Sequence, residues 1–390
     1  MVDPTSTHWL DSFRRRTPRH VARGGHAAHS SGVGSDGRPA VGATRISTRT
    51  LLALASLLVF RIVASAQTPT VTELATYTGA DRTERLIAGA KREGTLTLYT
   101  SAAVEDMAAV TAAFQKKYGV GVKVWRASSE NILQRGVTEA RGGRFDADVF
   151  ETGGAALEAL HREQLLAPLN PPASADLAPA ALNAHHAWTG TRFNVFVAAY
   201  NTGLVRRGEL PKSYDDLLDP KWKGRLGIEA EDSDWFGAVV DSLGEERGLK
   251  LFRGIVAANG ISVRKGHTLL ANLVVSGEVP LALTIYTFRA EQLEKGGAPL
   301  DWIAIPPTIA RFEGAAVARR APHPNAAILF FEFLLTDAQE LLRGREMFTA
   351  RKAEPLAAGL SLTFLDAATS LDESRKWSKL YRDIVINQAR

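Results

Sequence analysis

The chain has no cysteine. That absence excludes disulfides, thiolate metal sites, cysteine nucleophiles and a lipidated cysteine anchor together. Histidine is scarce: beyond residue 66 only positions 161, 185, 186, 267 and 323 carry it. No HExxH or comparable spacing joins them, so each reads as structural or solvated, and no metal site is expected from them. There is no phosphate-binding loop and no nucleophile elbow. Ser262-Val-Arg-Lys265 has the Ser-x-x-Lys spacing of penicillin-binding enzymes but lacks their companion motifs. No apolar run approaches the roughly 20 residues that span a bilayer. No internal repeat is found.

The N-terminal region has the features of an export signal. Residues 51–60, LLALASLLVF, form a short apolar core, with Arg45 and Arg49 before it and Ala64-Ser65-Ala66 after it. A positive flank, a short core and an A-x-A site describe a secretory signal peptide, with cleavage expected after Ala66. The preceding stretch is long for such a flank, so translation is expected to start downstream, near Val41. Residues 1–66 carry nine Arg against three Asp, a net +6, while the whole chain is +5. Residues 67–390 are therefore near −1, and the basic pI implies no nucleic-acid partner. The exported part is expected in the periplasm, unanchored and monomeric, with no cofactor.

That part exceeds the size at which one core keeps growing, which implies two lobes. Three strand-loop-helix units open it: strand 95–99 with helix 104–118, strand 120–125 with helix 131–141, and strand 147–150 with helix 154–161. Such units build a parallel sheet covered by helices. An apolar strand at 193–200 leads to a second set. Its strands fall at 225–230, 279–283 and 302–305, and its helices at 235–243, 247–259, 268–276 and 288–295. Pro306-Pro307 interrupts the pattern. A helix at 325–335, apolar nearly all round, and another capped by Thr336 are expected to return to the first lobe. The expected fold is α/β with two lobes, each a mainly parallel sheet flanked by helices, crossed near 190–200 and 303–320 to form a hinge. The expected domains are 1–66 as leader, 67–192 plus 306–390 as the first lobe, and 193–305 as the second.

In open α/β sheets, ligands bind beyond the carboxyl ends of the strands. In the first lobe those ends carry Ser101, then Ser128 and Ser129, then Thr152 and Gly153. Each small or hydroxylic group leads into a helix, where free N–H groups and the helix dipole favour an anion or an oxygen-rich ligand. Ordinary capping explains the same residues, and one residue can do both. In the second lobe the corresponding loops carry Asp232 and Asp234, and Tyr286 and Thr287. The Asp232-Ser-Asp234 spacing is not a calcium loop, because Phe236 stands where an oxygen ligand is needed. Arg192, at the first crossing, is placed to meet a carboxylate or phosphonate as the lobes close.

Leu210-Pro-Lys-Ser-Tyr-Asp-Asp-Leu-Leu-Asp-Pro-Lys-Trp-Lys-Gly-Arg-Leu-Gly-Ile228 reads as loop, short helix, tight turn and strand. Ser213 and Asp216 stand in capping-box register, Pro220 ends the helix and Gly224 permits the turn. This string resembles the start of the second lobe in periplasmic solute-binding proteins of ABC importers, in the branch that includes the ferric-ion binders. TLYTSAAVEDMAAVTAAFQKKYGVGVKV, DADVFETGG, VAAYNTGL, SGEVPLALTIY and NAAILFFEFLLTDAQ extend the resemblance over most of 85–350. It implies the type II periplasmic-binding-protein fold, an inner-membrane ABC permease as partner, and solute capture rather than catalysis.

Ferric-binding members hold the ion with two adjacent tyrosines, a histidine and a glutamate. The tyrosine pair falls on Tyr286-Thr287, the histidine near Ala103 and the glutamate near Gly153, so three of four ligands are missing. The resemblance therefore implies a small organic anion rather than bare ferric ion. Ferric iron or an iron complex is the alternative, with Tyr286 as its best candidate ligand. A secreted enzyme or a sensor-coupled binding protein on the same fold is the competing class; an enzyme would need an acid–base pair facing a nucleophile.

Overall fold

Strand and helix alternate from Thr95 onward because apolar runs of five or six residues are separated by amphipathic stretches that end at glycine. The computed structural model of the protein describes residues 69–352 and 359–388; the expected signal peptide and its cleavage after Ala66 lie outside the described residues. Helices α1 (Val71–Thr76) and α2 (Arg82–Glu93) precede β1 (Thr95–Thr100), α3 (Val104–Tyr118), β2 (Gly121–Arg126), α4 (Ser129–Arg141), β3 (Val149–Gly153) and α5 (Gly154–Arg162). β1 lies parallel to both β2 and β3. α2 and α3 stop at Gly94 and Gly119, both at φ 73°, a left-handed backbone that favours glycine.

β4 (Thr189–Asn201) follows and is buried along its whole length. The second lobe holds β5 (Leu226–Glu229), α6 (Ser233–Leu243), α7 (Glu245–Asn259), β6 (Ser262–Arg264), α8 (His267–Ser276), β7 (Leu281–Tyr286), α9 (Thr287–Lys295) and β8 (Leu300–Ile303). β5 runs parallel to β6 and β7. Residues 210–228 do enter this lobe as expected, in a tighter form. Two 3₁₀ turns, Tyr214–Leu218 and Pro220–Trp222, replace one helix. The Ser213 N–H donates to Asp216 Oδ2 at 3.0 Å, and Gly224 turns the chain at φ 70°. Buried Asn259 clamps the segment, donating to the carbonyls of Leu217 at 2.7 Å and Asp219 at 3.0 Å.

The sequence pattern was broken at Pro306-Pro307, yet a ten-residue strand, β9 (Thr308–Val317), follows. Arg311, Glu313 and Gly314 mask it as a strand. It is sandwiched between β3 and β4, so no solvent face imposes an apolar–polar alternation. Gly314 is required there: a Cβ would lie 2.7 Å from the Thr189 carbonyl oxygen. β4 is shared by the two lobes. Thr189–Val195 pairs antiparallel with β9, and from Phe196 onward β4 pairs with β7 and β8.

α10 (Pro324–Leu335) and α11 (Asp337–Arg343) return to the first lobe. Phe330 and Phe333 of α10 stand edge-on to Phe114 of α3, with ring centroids 4.9 and 5.4 Å away. Thr336 does not cap α11; its hydroxyl donates back to the Glu332 carbonyl at 2.8 Å. After β10 (Phe348–Thr349), β11 (Leu362–Phe364) and α12 (Ala367–Asp372), α13 (Ser374–Tyr381) docks on the second lobe. Trp377 meets Phe236 edge-on at 6.2 Å, and the Tyr381 hydroxyl donates to the Glu229 carbonyl. The C-terminal segment thus adds a third connection to the two made by β4 and β9.

Candidate functional site

The carboxyl ends of β1 and β3, the middle of β4 and β9, and the carboxyl ends of β5 and β7 bring one set of polar side chains together. On the first lobe, Ser129 Oγ accepts from the Thr152 hydroxyl at 2.8 Å and from the Gly153 N–H at 3.4 Å. Ser128 caps α4, accepting from the Asn131 N–H at 3.4 Å. The Ser101 hydroxyl donates to Glu313 Oε2 at 3.4 Å. Ser128 therefore caps, while the Ser101 hydroxyl faces Glu313 at the strand crossing.

Arg192, expected to meet an anion, is committed elsewhere. It is 5% exposed and pairs through Nη1 with Glu151 Oε1; Thr100 donates to the other Glu151 oxygen. Burial presses the guanidinium pKa down, but the Glu151 and Glu313 charges outweigh it and leave it raised. The β4–β9 register sets Arg192 beside Glu313 and Asn194 beside Arg311. Asn194 Nδ2 donates to Glu313 Oε1 at 3.1 Å.

Arg311 is the group that joins the lobes. Its Nη1 donates to Asp234 Oδ2 at 3.0 Å and its Nη2 to the Tyr286 hydroxyl. Its Nε lies 3.6 Å from Glu313 Oε1. The guanidinium carbon stands 5.2 Å from the Phe196 ring centre and 5.6 Å from that of Tyr286, in cation–π range. Burial pushes the Tyr286 phenol well above its usual pKa, against the pull of Arg311. Burial likewise raises the Glu313 carboxyl, against Arg311 and Arg192. Thr287 is buried and its hydroxyl has no partner. Arg289, one turn into α9, engages Gln292 at 3.4 Å.

His267, at the start of α8, lies against Tyr286 with ring centroids 4.1 Å apart. Its Nδ1 is 3.0 Å from the Thr284 carbonyl oxygen and its Nε2 is 3.4 Å from Asp232 Oδ1. Glu229 accepts the Gly266 N–H at 2.7 Å and the Glu231 N–H. Glu229, Asp232 and His267 thus converge with ligand-type atoms all within 4.8 Å of one another.

Sequence reasoning missed Asn194, Glu229, His267, Arg311 and Glu313. One signal was readable: Arg311 and Glu313, two apart in an otherwise apolar stretch, lie on one face of a strand. A carboxylate from another element stands beside Gly153. Glu313 Oε2 lies 3.9 Å from where a Gly153 Cβ would stand.

A second titratable cluster sits apart, on α5. Glu158 accepts from Arg162 Nε at 3.1 Å and from Trp188 Nε1 at 3.4 Å, and meets His185 Nε2 at 3.1 Å. Burial pushes the Glu158 carboxyl up, but Arg162, Trp188 and His185 together hold it below its ordinary 4.5. A carboxyl with a lowered folded pKa stabilises the fold above its unfolded value and loses that contribution as pH falls through the folded one. The stability gap between the protein and Glu158→Gln is therefore expected to be full above about pH 4.5 and to shrink below it. Urea midpoints at pH 6 and pH 3.5 (chosen on either side of the ordinary value) check this; a gap that is unchanged refutes it.

A family model described as bacterial extracellular solute-binding protein matches residues 100–341. The major ferric iron-binding protein of Neisseria meningitidis serogroup B is 29% identical over 287 residues, 69% of this chain and 83% of that protein. Iron uptake protein A1 of Synechocystis sp. is 26% identical over 303 residues, 71% of this chain and 82% of that protein. The crystal structure of iron-bound HitA from Pseudomonas aeruginosa superposes with a TM-score of 0.65 at 28% identity, covering 74% of this chain and 99% of that one.

Proposed function

The chain belongs to the bacterial extracellular solute-binding protein family, and on that footing we propose that it is the periplasmic capture component of an ABC import system. It closes two lobes over a small solute and presents it to an inner-membrane permease. The observation that carries this reading is Arg311. It sits on a strand that runs between the lobes, holds Asp234 and Tyr286 of the second lobe, and approaches Glu313 at the first-lobe ends. Strand-borne residues shared by two lobes suit hinge closure over a ligand. The closed edge is latched by Gln292 on the Arg345 carbonyl at 3.0 Å and Lys295 on Glu346 at 2.6 Å. In this reading the first lobe is 69–192 with 306–352 and 359–373, and the second is 193–305 with 374–388. The mature chain begins after Ala66 and acts as a monomer. The two guanidiniums of the site, Arg192 and Arg311, are spent on Glu151, Asp234 and Glu313 in ion pairs, an arrangement that suits binding and release rather than turnover.

The charge of this connected set favours a solute that brings positive charge. Five carboxylates, Glu151, Glu229, Asp232, Asp234 and Glu313, accompany two guanidinium groups, Arg192 and Arg311, both already paired, and one imidazole, His267. A bare organic anion would enter against that excess; a metal-bearing solute relieves it. The relatives named for iron support the same class. The test is calorimetry of the mature chain with iron(III) citrate, a divalent metal salt and citrate alone. Sub-micromolar binding of a metal-bearing solute, with citrate alone far weaker, is the expected result. Tight binding of metal-free carboxylates, with metal making no difference, overturns the solute class.

A further inference from the structure

We infer that Glu229, Asp232 and His267 are the seat of the metal itself, and that this seat takes a divalent transition-metal ion rather than the ferric ion of the named relatives. The inference rests on the metal-bearing reading of the solute and adds where the ion is held and its valence class. Its ground is the direction of His267. A carbonyl oxygen accepts and never donates, so the 3.0 Å contact with the Thr284 oxygen places the ring proton on Nδ1. Nε2 faces Asp232 Oδ1, 3.4 Å away, and the two are joined by a cation, which a metal ion supplies in place of the Nε2 proton. The second Asp232 oxygen, Oδ2, is buried and has no hydrogen-bond partner, and the residue is 1% exposed. A buried carboxylate oxygen left open in this way is costly unless a ligand completes it.

The geometry fits a metal. Ligand bonds of about 2.1 Å in a tetrahedral shell place donor atoms about 3.4 Å apart. The Asp232–His267 separation already has that value, and Glu229 lies within the same 4.8 Å group. Each Glu229 oxygen takes one backbone N–H and keeps a lone pair. The approach is from His267, whose side chain is 21% exposed and packs on Tyr286. One imidazole nitrogen with two carboxylates is a borderline donor set that suits divalent first-row ions. Ferric ion, a harder cation, is better served by several anionic oxygens, and this set offers two carboxylates beside one imidazole nitrogen.

The experiment is titration of the mature chain with Co²⁺ and Zn²⁺, followed by calorimetry and by the Co²⁺ absorption bands that report a nitrogen–oxygen shell. Wild type is expected to bind one ion. Asp232→Asn, which keeps side-chain shape, and His267→Ala are each expected to weaken it at least about tenfold, with circular dichroism unchanged. His161→Ala, in the separate Glu158 cluster, serves as the comparison and is expected to bind as wild type does. Loss in His161→Ala but not in His267→Ala overturns the seat. Iron(III) citrate binding that survives His267→Ala and Asp232→Asn, with no Co²⁺ bound, overturns the seat and the valence while the metal-bearing reading stands. No binding of any metal species overturns both, with a proton on Nε2 as the occupant.

Discussion

Replacing Glu151 with glutamine is expected to lower the unfolding free energy by about 3–5 kcal/mol, because it strands a buried guanidinium without its counter-charge. Arg192 is 5% exposed, and Glu151 is its direct partner. Glutamine keeps the size and the Thr100 contact but removes the charge. Glu313 and Asp106 remain as carboxylates acting on Arg192, which places the loss toward the lower end of the range. The double replacement Glu151→Leu with Arg192→Met is expected to recover most of it, since removing both charges also removes their desolvation cost. Urea midpoints of Glu151→Leu, Arg192→Met and the double variant form the cycle, with Glu151→Gln measured beside them. A glutamine variant as stable as the parent would show that the pair contributes little, and a double variant worse than either single would show that packing, not charge, governs the position.

The second large effect is expected at Trp222. Changing it to alanine should cost about 3–5 kcal/mol, the range for deleting a buried aromatic side chain. Trp222 is 0% exposed and belongs to the same cluster as Tyr214, Leu217 and Phe252. Lys221 and Arg225 stand over its ring at 5.4 and 5.5 Å. Trp222→Phe should cost far less. The indole N–H is buried without a partner, so phenylalanine removes an unmet donor while keeping most of the apolar contact. Thermal unfolding of both variants decides it; equal losses would mean that the indole N–H is satisfied in solution.

These two positions also mark how far the sequence could be read. Trp222 lies in the segment that reads as the start of the second lobe, and its turn and caps follow from neighbours within twenty residues, although its burial also needs Phe252 and Asn259. The same holds for the strand–helix units of the first lobe. α3 spans the expected Val104–Tyr118, and β1 extends the expected strand by one residue. Local periodicity and terminal glycines act over short range, so they survive in the linear text. Arg192 was legible as a residue at a crossing but not as one already paired, because its partner Glu151 is 41 positions away.

β9 shows the limit most clearly. Its ten residues carry two charges and a glycine, and nothing local marks them as a central strand. Only the closure of β3 and β4 around it explains why Arg311 and Glu313 are tolerated there. The ligand pattern behaves the same way. By linear comparison the chain loses a glutamate at Gly153 and a histidine near Ala103, which pointed toward an organic anion. In three dimensions Glu313 reaches the space beside Gly153, and His267 lies on Tyr286.

The sequence by itself determined the class of fold, the order of most of its elements up to β8 and the family resemblance, since these rest on periodicity, caps and phrases a few residues long. Tertiary structure alone decided which of the candidate side chains meet. Ser101 meets Glu313 across 212 positions, Asn194 meets Glu313 across 119, and Arg311 meets Asp234 across 77. Charge balance and donor geometry are properties of such long-range meetings, and no local pattern encodes them.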